Sequence, residues 1–191
     1  MDAPTTEPTV RPLTPETWPD LERLFTRPGD QRGCWCMWFR LTGTDWPATR
    51  TAERRAAFAE RAAAAPSPGL VAYVDGEPVA WVAVAPRGEH PRIPRSTVIV
   101  HDPEVPDCWS VTCFYIRPDH RGRGLSTALL AAAVDHAAAH GARNVEAYPV
   151  DAQERTSSSV MFHGSLGLFT RAGFREVGRR KGRPTVRLAL R

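Results

Sequence analysis

Phe114-Tyr115-Ile116-Arg117-Pro118-Asp119-His120-Arg121-Gly122-Arg123-Gly124-Leu125-Ser126 is the stretch on which the reading of this chain turns. The aromatic and β-branched run from Trp109 to Ile116 predicts a strand. Leu125 to His140 predicts a long Ala/Leu helix that Gly141 ends. Between them, small residues let backbone approach phosphate oxygens, and the first N–H groups of a helix are unpaired and point outward. The helix macrodipole adds partial positive charge there, and Arg117, Arg121 and Arg123 add full charges. An ordinary glycine turn before a helix is the plainer alternative. The coincidence of strand, glycine loop, arginines and long helix favours anion binding. A Walker loop is excluded because Gly-Lys-Ser/Thr is missing, and a dinucleotide fingerprint because G-x-G-x-x-G is missing.

Outward from this stretch, residues 1–8 form a Pro/Thr-rich segment expected to be a disordered tail. Thr9 to Leu13 predicts a short strand. Thr14-Pro15-Glu16-Thr17 predicts a helix start, followed by Trp18, Leu21, Leu24 and Phe25 at helical spacing. Thr49 to Ala65 predicts a second helix. Leu70–Val74 and Pro78–Ala85 predict two strands joined at Asp75-Gly76, a strong hairpin signal. Residues 86–107 hold five prolines and predict a loop. Later come a strand over Asn144–Val150, a polar loop over 151–159 and a helix over Val160–Ala172. Phe174–Arg180 and Thr185–Leu190 close the chain as a hairpin. The order β-α-α-β-β-β-α-β-α-β-β reads as one α/β domain over residues 9–191 with a mixed sheet.

Composition agrees. The 191 residues are 42% hydrophobic and 24% charged, a globular rather than disordered balance. The net charge of +4 comes from arginine, Lys181 being the sole lysine. Such a balance suits anionic small molecules, and the scattered arginines form no stripe for nucleic acid. No apolar run is long enough for a membrane span and the start is no secretory signal, so a soluble cytoplasmic protein is expected. Cys34, Cys36, Cys108 and Cys113 read as buried or loop thiols; no C-x-x-C spacing supports a metal site, and none is expected.

The stretch Phe114–Ser126 resembles motif A of the GNAT superfamily of acyl-CoA-dependent N-acyltransferases: strand, Pro, then [QR]-x-x-G-x-[GA]. Leu168-Phe169-Thr170-Arg171-Ala172-Gly173-Phe174 resembles that family's L-Y-x-x-x-G-F. The resemblance covers roughly residues 9–190 and implies a mostly antiparallel mixed sheet of about seven strands with flanking helices. It implies acetyl-CoA as acyl donor, with Phe114, Tyr115 and Ile116 beside the pantetheine arm. Arg121, Gly122, Arg123, Gly124, Leu125, Ser126 and Thr127 would then hold the pyrophosphate. Phe169 would lie near the thioester sulfur. Glu146 matches a strand glutamate that serves as general base in some members; a salt-bridged strand carboxylate is the alternative.

This chain departs from the family at two places. Phe169 replaces the tyrosine that protonates the leaving thiolate, and Asp151 stands where an asparagine is usual. Tyr148 and His163 are candidate replacement acids, against the plainer readings of a half-buried strand residue and a surface or capping residue. The segment Cys34–Phe39 is unusually aromatic. It reads either as loop packing on the core or as an acceptor wall formed by Trp35, Met37, Trp38 and Phe39. The implied activity is acetyl transfer to a primary amine of a small molecule or peptide. A non-catalytic acyl-CoA sensor or accessory protein of the same fold is the alternative. A homodimer is compatible with the sequence.

Overall fold

Strand Glu77–Pro86 (β3) is buried along nearly all its length, because both of its faces are covered. It lies near the centre of a seven-stranded sheet in a computed structural model that describes residues 7–26, 33–151 and 162–190. The elements in order are β1 (Thr9–Pro12), α1 (Trp18–Phe25), α2 (Asp45–Ala48), α3 (Thr51–Ala62), β2 (Gly69–Val74), β3, β4 (Cys108–Ile116), α4 (Leu125–Ala139), β5 (Asn144–Ala147), α5 (Leu166–Arg171), β6 (Arg175–Arg180) and β7 (Arg183–Ala189). The strand order is β1-β2-β3-β4-β5-β7-β6, antiparallel throughout except for the parallel pair β4–β5. The expected α/β architecture and strand count are both observed.

The period-two alternation of strands sorts the core into two layers. Leu70, Ala72, Val82 and Val84 share one cluster with Leu125, Leu129, Leu130, Ala133 and Ala137 of α4. Val71, Tyr73, Trp81 and Ala83 share another with Leu21, Leu24 and Phe25 of α1 and Phe58 of α3. Trp81 anchors that second layer. Its ring meets Phe25 and Phe58 edge-on at 6.2 and 6.0 Å, and its Nε1–H donates to Cys36 Sγ at 3.0 Å. Burial of such large rings dominates core energetics.

Several boundaries differ from expectation for local reasons. Helix α1 starts at Trp18 because the Thr17 hydroxyl folds back, accepting from the Thr14 N–H at 2.9 Å and donating to the Pro12 carbonyl. Strand β5 ends at Ala147, two residues before Pro149, which has no N–H for the ladder. Beyond it, Val150 forms only an isolated bridge to Ser165. The expected helix Val160–Ala172 begins only at Leu166. Gly164 is left-handed at φ +77, and Ser165 caps the helix by accepting from the Leu168 N–H. Its first two expected residues, most of the 151–159 loop and residues 1–6 of the expected tail lie outside the described residues. The short α2, not anticipated, is entered through Asp45, which accepts from the Thr42 hydroxyl at 2.6 Å.

Glu89, just after β3, ties that end of the sheet to α3. It accepts from Arg61 Nε and Nη2 at 2.7 and 2.8 Å and from Arg40. Burial pushes its carboxyl up, but the two guanidiniums outweigh this and hold it near 2, below the ordinary 4.5. A depressed carboxylate contributes stability that is fully present above the unfolded value and is lost as pH falls through the folded one. Thermal melts of Glu89→Gln should therefore show lower stability at neutral pH and a smaller loss than wild type between pH 4.5 and 2. Parallel acid limbs for the two proteins would contradict this role.

Candidate active site

The parallel pairing of β4 with β5 stops at Val111–Ala147, while β4 continues to Ile116. A register shift opposite Ala83 and Val84 leaves Thr112 unpaired as a bulge in β4, and bulges bend and twist a strand. The two strands splay, and a cleft of about 1210 Å³ opens beside them. Past the bulge, the Phe114 N–H donates to the Phe162 carbonyl at 2.7 Å instead of to a strand.

One end of the cleft is the glycine loop. Phe114, Tyr115 and Ile116 form its strand wall, and Arg121 and Ser126 face it from the loop and α4. Gly122 and Gly124 both adopt φ +77, and a Cβ on either would meet nothing within 4 Å. The N–H groups of Gly122, Arg123, Gly124, Leu125 and Ser126 make no hydrogen bond among the described residues. An open loop of unpaired donors at a helix start is the cradle a phosphate group needs. The structure refines the expected set. The Thr127 N–H is already bonded to the Gly124 carbonyl at 2.9 Å, and the Leu125 side chain is buried in the core. Arg117 is paired with Asp119 at 2.6 Å, so it is not a free counter-charge. Arg171, on α5, lines the cleft instead and was not singled out from sequence.

Glu146 does not line the cleft. It is enclosed on the far side of Tyr148, with Arg87 Nη1 at 3.1 Å from one oxygen and Arg187 Nε at 2.9 Å from the other. Each carboxylate oxygen is held by a guanidinium, which is the salt-bridged alternative of the sequence reading. Tyr148 is on the cleft wall, but its hydroxyl donates to Glu146 at 3.3 Å and shares a hydrogen bond with Ser110 at 3.0 Å. Burial, with the Glu146 charge second, pushes that hydroxyl well above its ordinary value, which makes it a poor acid. Phe169, expected near the thioester sulfur, is not among the described residues that line the cleft. It is fully buried between Phe114 and Phe174, with ring centroids 6.1 and 5.2 Å away, and the cleft-facing residue is Leu168. A phenyl ring has no polar tip to hold it at a wet surface, so it joins the core.

The aromatic segment divides. Consecutive left-handed residues, Trp35 at φ 47 and Cys36 at φ 53, turn the chain there. Trp35 and Met37 enter the core layer under α1, correcting their assignment to the acceptor wall. Trp38 and Phe39 do line the cleft, and Trp46 packs edge-on to Trp38 at 4.9 Å.

His163, expected at the surface or as a cap, stands in the cleft wall. Its ring lies 3.9 Å from that of Phe162 and 5.5 Å from that of Phe39. Burial, with the Arg183 charge second, pushes the imidazole down to about 3, so it is neutral. One nitrogen donates to the Thr112 carbonyl, whereas Nδ1 is buried without a partner. By sequence His163 is a candidate acid beside the surface or capping alternative; its burial has no signal in the spacing, because it reaches the cleft from a loop.

A sequence profile of the acetyltransferase (GNAT) family matches residues 35–174, and the chain belongs to that family. No curated protein matches the chain. Similar solved structures include an N-acetyltransferase from Staphylococcus aureus Mu50, 15% identical, with a TM-score of 0.59 over 97% of this chain and 100% of that one. The PaiA N-acetyltransferase from Thermoplasma acidophilum in complex with coenzyme A is 13% identical, with a TM-score of 0.57 over 97% and 100% of the two chains. A Salmonella typhimurium protein described as an acetyltransferase, with its cofactor acetyl-CoA, is 16% identical, with a TM-score of 0.57 over 97% and 95%. At these identities the likeness shows the fold. Among the described residues no helix is long and apolar enough to cross a membrane, and no group of three His, Cys, Asp or Glu is placed to hold a metal ion.

The loop geometry yields a direct test of the phosphate cradle. Gly124→Glu adds a carboxylate beside the open N–H groups; its Cβ would meet no atom within 4 Å, at the cost of a side chain in the left-handed region at φ +77. Calorimetry should show coenzyme A affinity lost while circular dichroism stays unchanged; unaltered affinity would remove the loop from the site.

Proposed function

We propose that this protein transfers an acetyl group from its coenzyme A thioester to a primary amine in the cytoplasm. One observation carries the reading: the β4–β5 seam opens beside a glycine loop whose N–H groups are free, with His163, whose buried Nδ1 has no partner among the described residues, in the wall of the same cleft. Four free thiols fit a reducing compartment. When bound, the acyl donor supplies an activated thioester. The loop N–H groups, with Arg121, hold its phosphates and so orient it for attack. The Phe114 N–H exchanges the Phe162 carbonyl for the thioester carbonyl and stabilises negative charge that develops there.

Proton transfer falls to His163. A cleft whose charged lining is arginine favours the neutral amine over its ammonium. The nitrogen becomes acidic as its bond to the acyl carbon forms, and Nδ1 takes the proton at that moment. An imidazole held near 3 then releases it readily to the departing thiolate, whose parent thiol has a pKa of about 8.5. Glu146 has a structural part here, bridging Arg87 and Arg187.

Incubation with acetyl-CoA and a panel of amines should release free thiol only when an amine is present. Binding of coenzyme A with no amine-dependent release would instead favour the sensor reading. His163→Phe keeps the ring stack, and its kcat/KM should fall about 100- to 10,000-fold, the usual contribution of acid–base catalysis. Coenzyme A affinity should hold. Glu146→Gln should behave oppositely. It should cost about 3 kcal/mol of stability, the order for a buried charge left without its partner, and keep a wild-type pH–rate profile. A proton-transfer defect in Glu146→Gln together with an active His163→Phe would reverse these roles.

A further inference from the structure

Among the described residues, the full charges lining the cleft are all of one sign. Its described lining contains Arg92, Arg95, Arg121, Arg171 and Arg183, and neither aspartate nor glutamate. Arg121 belongs to the glycine loop and Arg171 to α5. The other three project from the segment before β4 and from the start of β7, where Trp38, Phe39 and Phe162 supply apolar surface. Elsewhere, Arg40 and Arg61 meet Glu89 and Arg87 and Arg187 meet Glu146, while Arg54 has Nε, Nη1 and Nη2 all bonded to neutral oxygens of Gly33, Trp46 and Thr49. Arg92, Arg95 and Arg183 have no carboxylate partner among the described residues.

Arg92 and Arg183 are nonetheless fixed in place by neutral groups, and the exposed Arg95 is tethered by one. Arg92 donates Nε to the Leu41 carbonyl at 3.0 Å and Nη2 to the Thr42 carbonyl at 2.8 Å, and it stacks over Trp38 at 4.0 Å. Arg183 donates Nη1 to the carbonyls of Tyr148 and Pro149 at 3.2 and 3.3 Å. Arg95 donates Nη1 to the Pro91 carbonyl. Carbonyls position a guanidinium without cancelling its charge, and Arg92 Nη1 and Arg183 Nε and Nη2 make no hydrogen bond among the described residues. Burial lowers the pKa of Arg92 and of Arg183, as expected for cations removed from water with no anion beside them. Pre-oriented, uncancelled guanidiniums are suited to bind a carboxylate.

We infer that the acceptor is an amino acid, a small amine whose own carboxylate docks on Arg92, Arg95 and Arg183 while its side chain packs on Trp38, Phe39 and Phe162. This rests on the amine-acetylation reading above. It disfavours polyamines and aminoglycosides, whose several ammonium groups would meet guanidiniums and no carboxylate. It also disfavours a peptide N-terminus, where the carboxylate is replaced by an amide.

The test pairs turnover with binding. L-phenylalanine, L-methionine and L-tryptophan, their carboxamides and spermidine are assayed for thiol release from acetyl-CoA. The same compounds are titrated by calorimetry into protein saturated with coenzyme A, where no chemistry occurs. At least one amino acid should bind and react, with kcat/KM at least 10-fold above its carboxamide. Intrinsic reactivity runs the other way, because the carboxamide holds more free amine near neutral pH. Arg183→Gln and the exposed Arg95→Gln should each raise KM about 10- to 100-fold, the order for a hydrogen bond to a charged group, with coenzyme A affinity little changed and, for Arg95→Gln, which does not act on His163, kcat little changed as well. Arg183→Lys should restore part of the loss. Carboxylate-dependent binding without thiol release would uphold the recognition and reject acetyl transfer. Spermidine or carboxamides reacting as well as the acids, no binding by any amino acid, or arginine variants that weaken coenzyme A equally would each overturn the inference.

Discussion

The parallel contact between β4 and β5 is the constraint on which the rest depends. It is the sheet's one parallel pairing, and it is short, ending at Val111–Ala147. The Thr112 bulge bends one strand away, and Pro149 offers no N–H with which the other chain could follow it. A sheet that separates in its interior exposes backbone groups that must find partners. Here the Phe162 carbonyl takes the Phe114 N–H, so the open seam is hydrogen-bonded and still exchangeable. The glycine loop, the aromatic wall and His163 all take their positions from this separation.

How far the sequence could be read follows from where each signal is written. Elements whose identity is local were legible: the Asp75-Gly76 hairpin, the alternating strands β2 and β3, and the glycine loop ahead of an Ala/Leu helix. The open donors of the glycine loop were legible for the same reason, since they follow directly from two glycines and a helix start. The fate of the aromatic segment and of Glu146 was not. Trp35 and Trp38 are three residues apart and equally apolar, yet a pair of left-handed residues sends one inward and leaves the other on the cleft. Glu146 sits on a strand that leads toward the site, but its two arginine partners come from positions 87 and 187 and hold it away. Pairings across such distances leave no trace in spacing.

Charge is divided just as unevenly. Carboxylates are spent on the structural arginines around Glu89 and Glu146, which lock the end of β3 to α3 and to β5 and β7. The arginines around the cleft are oriented by backbone carbonyls and keep their full field. A mild net charge of +4 thereby becomes a strongly one-signed environment at the place where chemistry would occur.

The three cysteines on the cleft wall bear on chemical selectivity. Cys34, Cys36 and Cys113 all line the cleft in which the proposed acyl thioester would lie, and a thiolate there would be a better nucleophile than an amine. Transthioesterification would then leave a dead-end S-acyl protein. Burial pushes Cys34 up to about 11. A hydrogen bond with Cys36, with burial second, pushes Cys113 far above its ordinary value. The Cys36 sulfur accepts the Trp81 Nε1–H. Cys34 and Cys113 therefore present sulfur as soft apolar surface, which disfavours S-acylation at these two thiols.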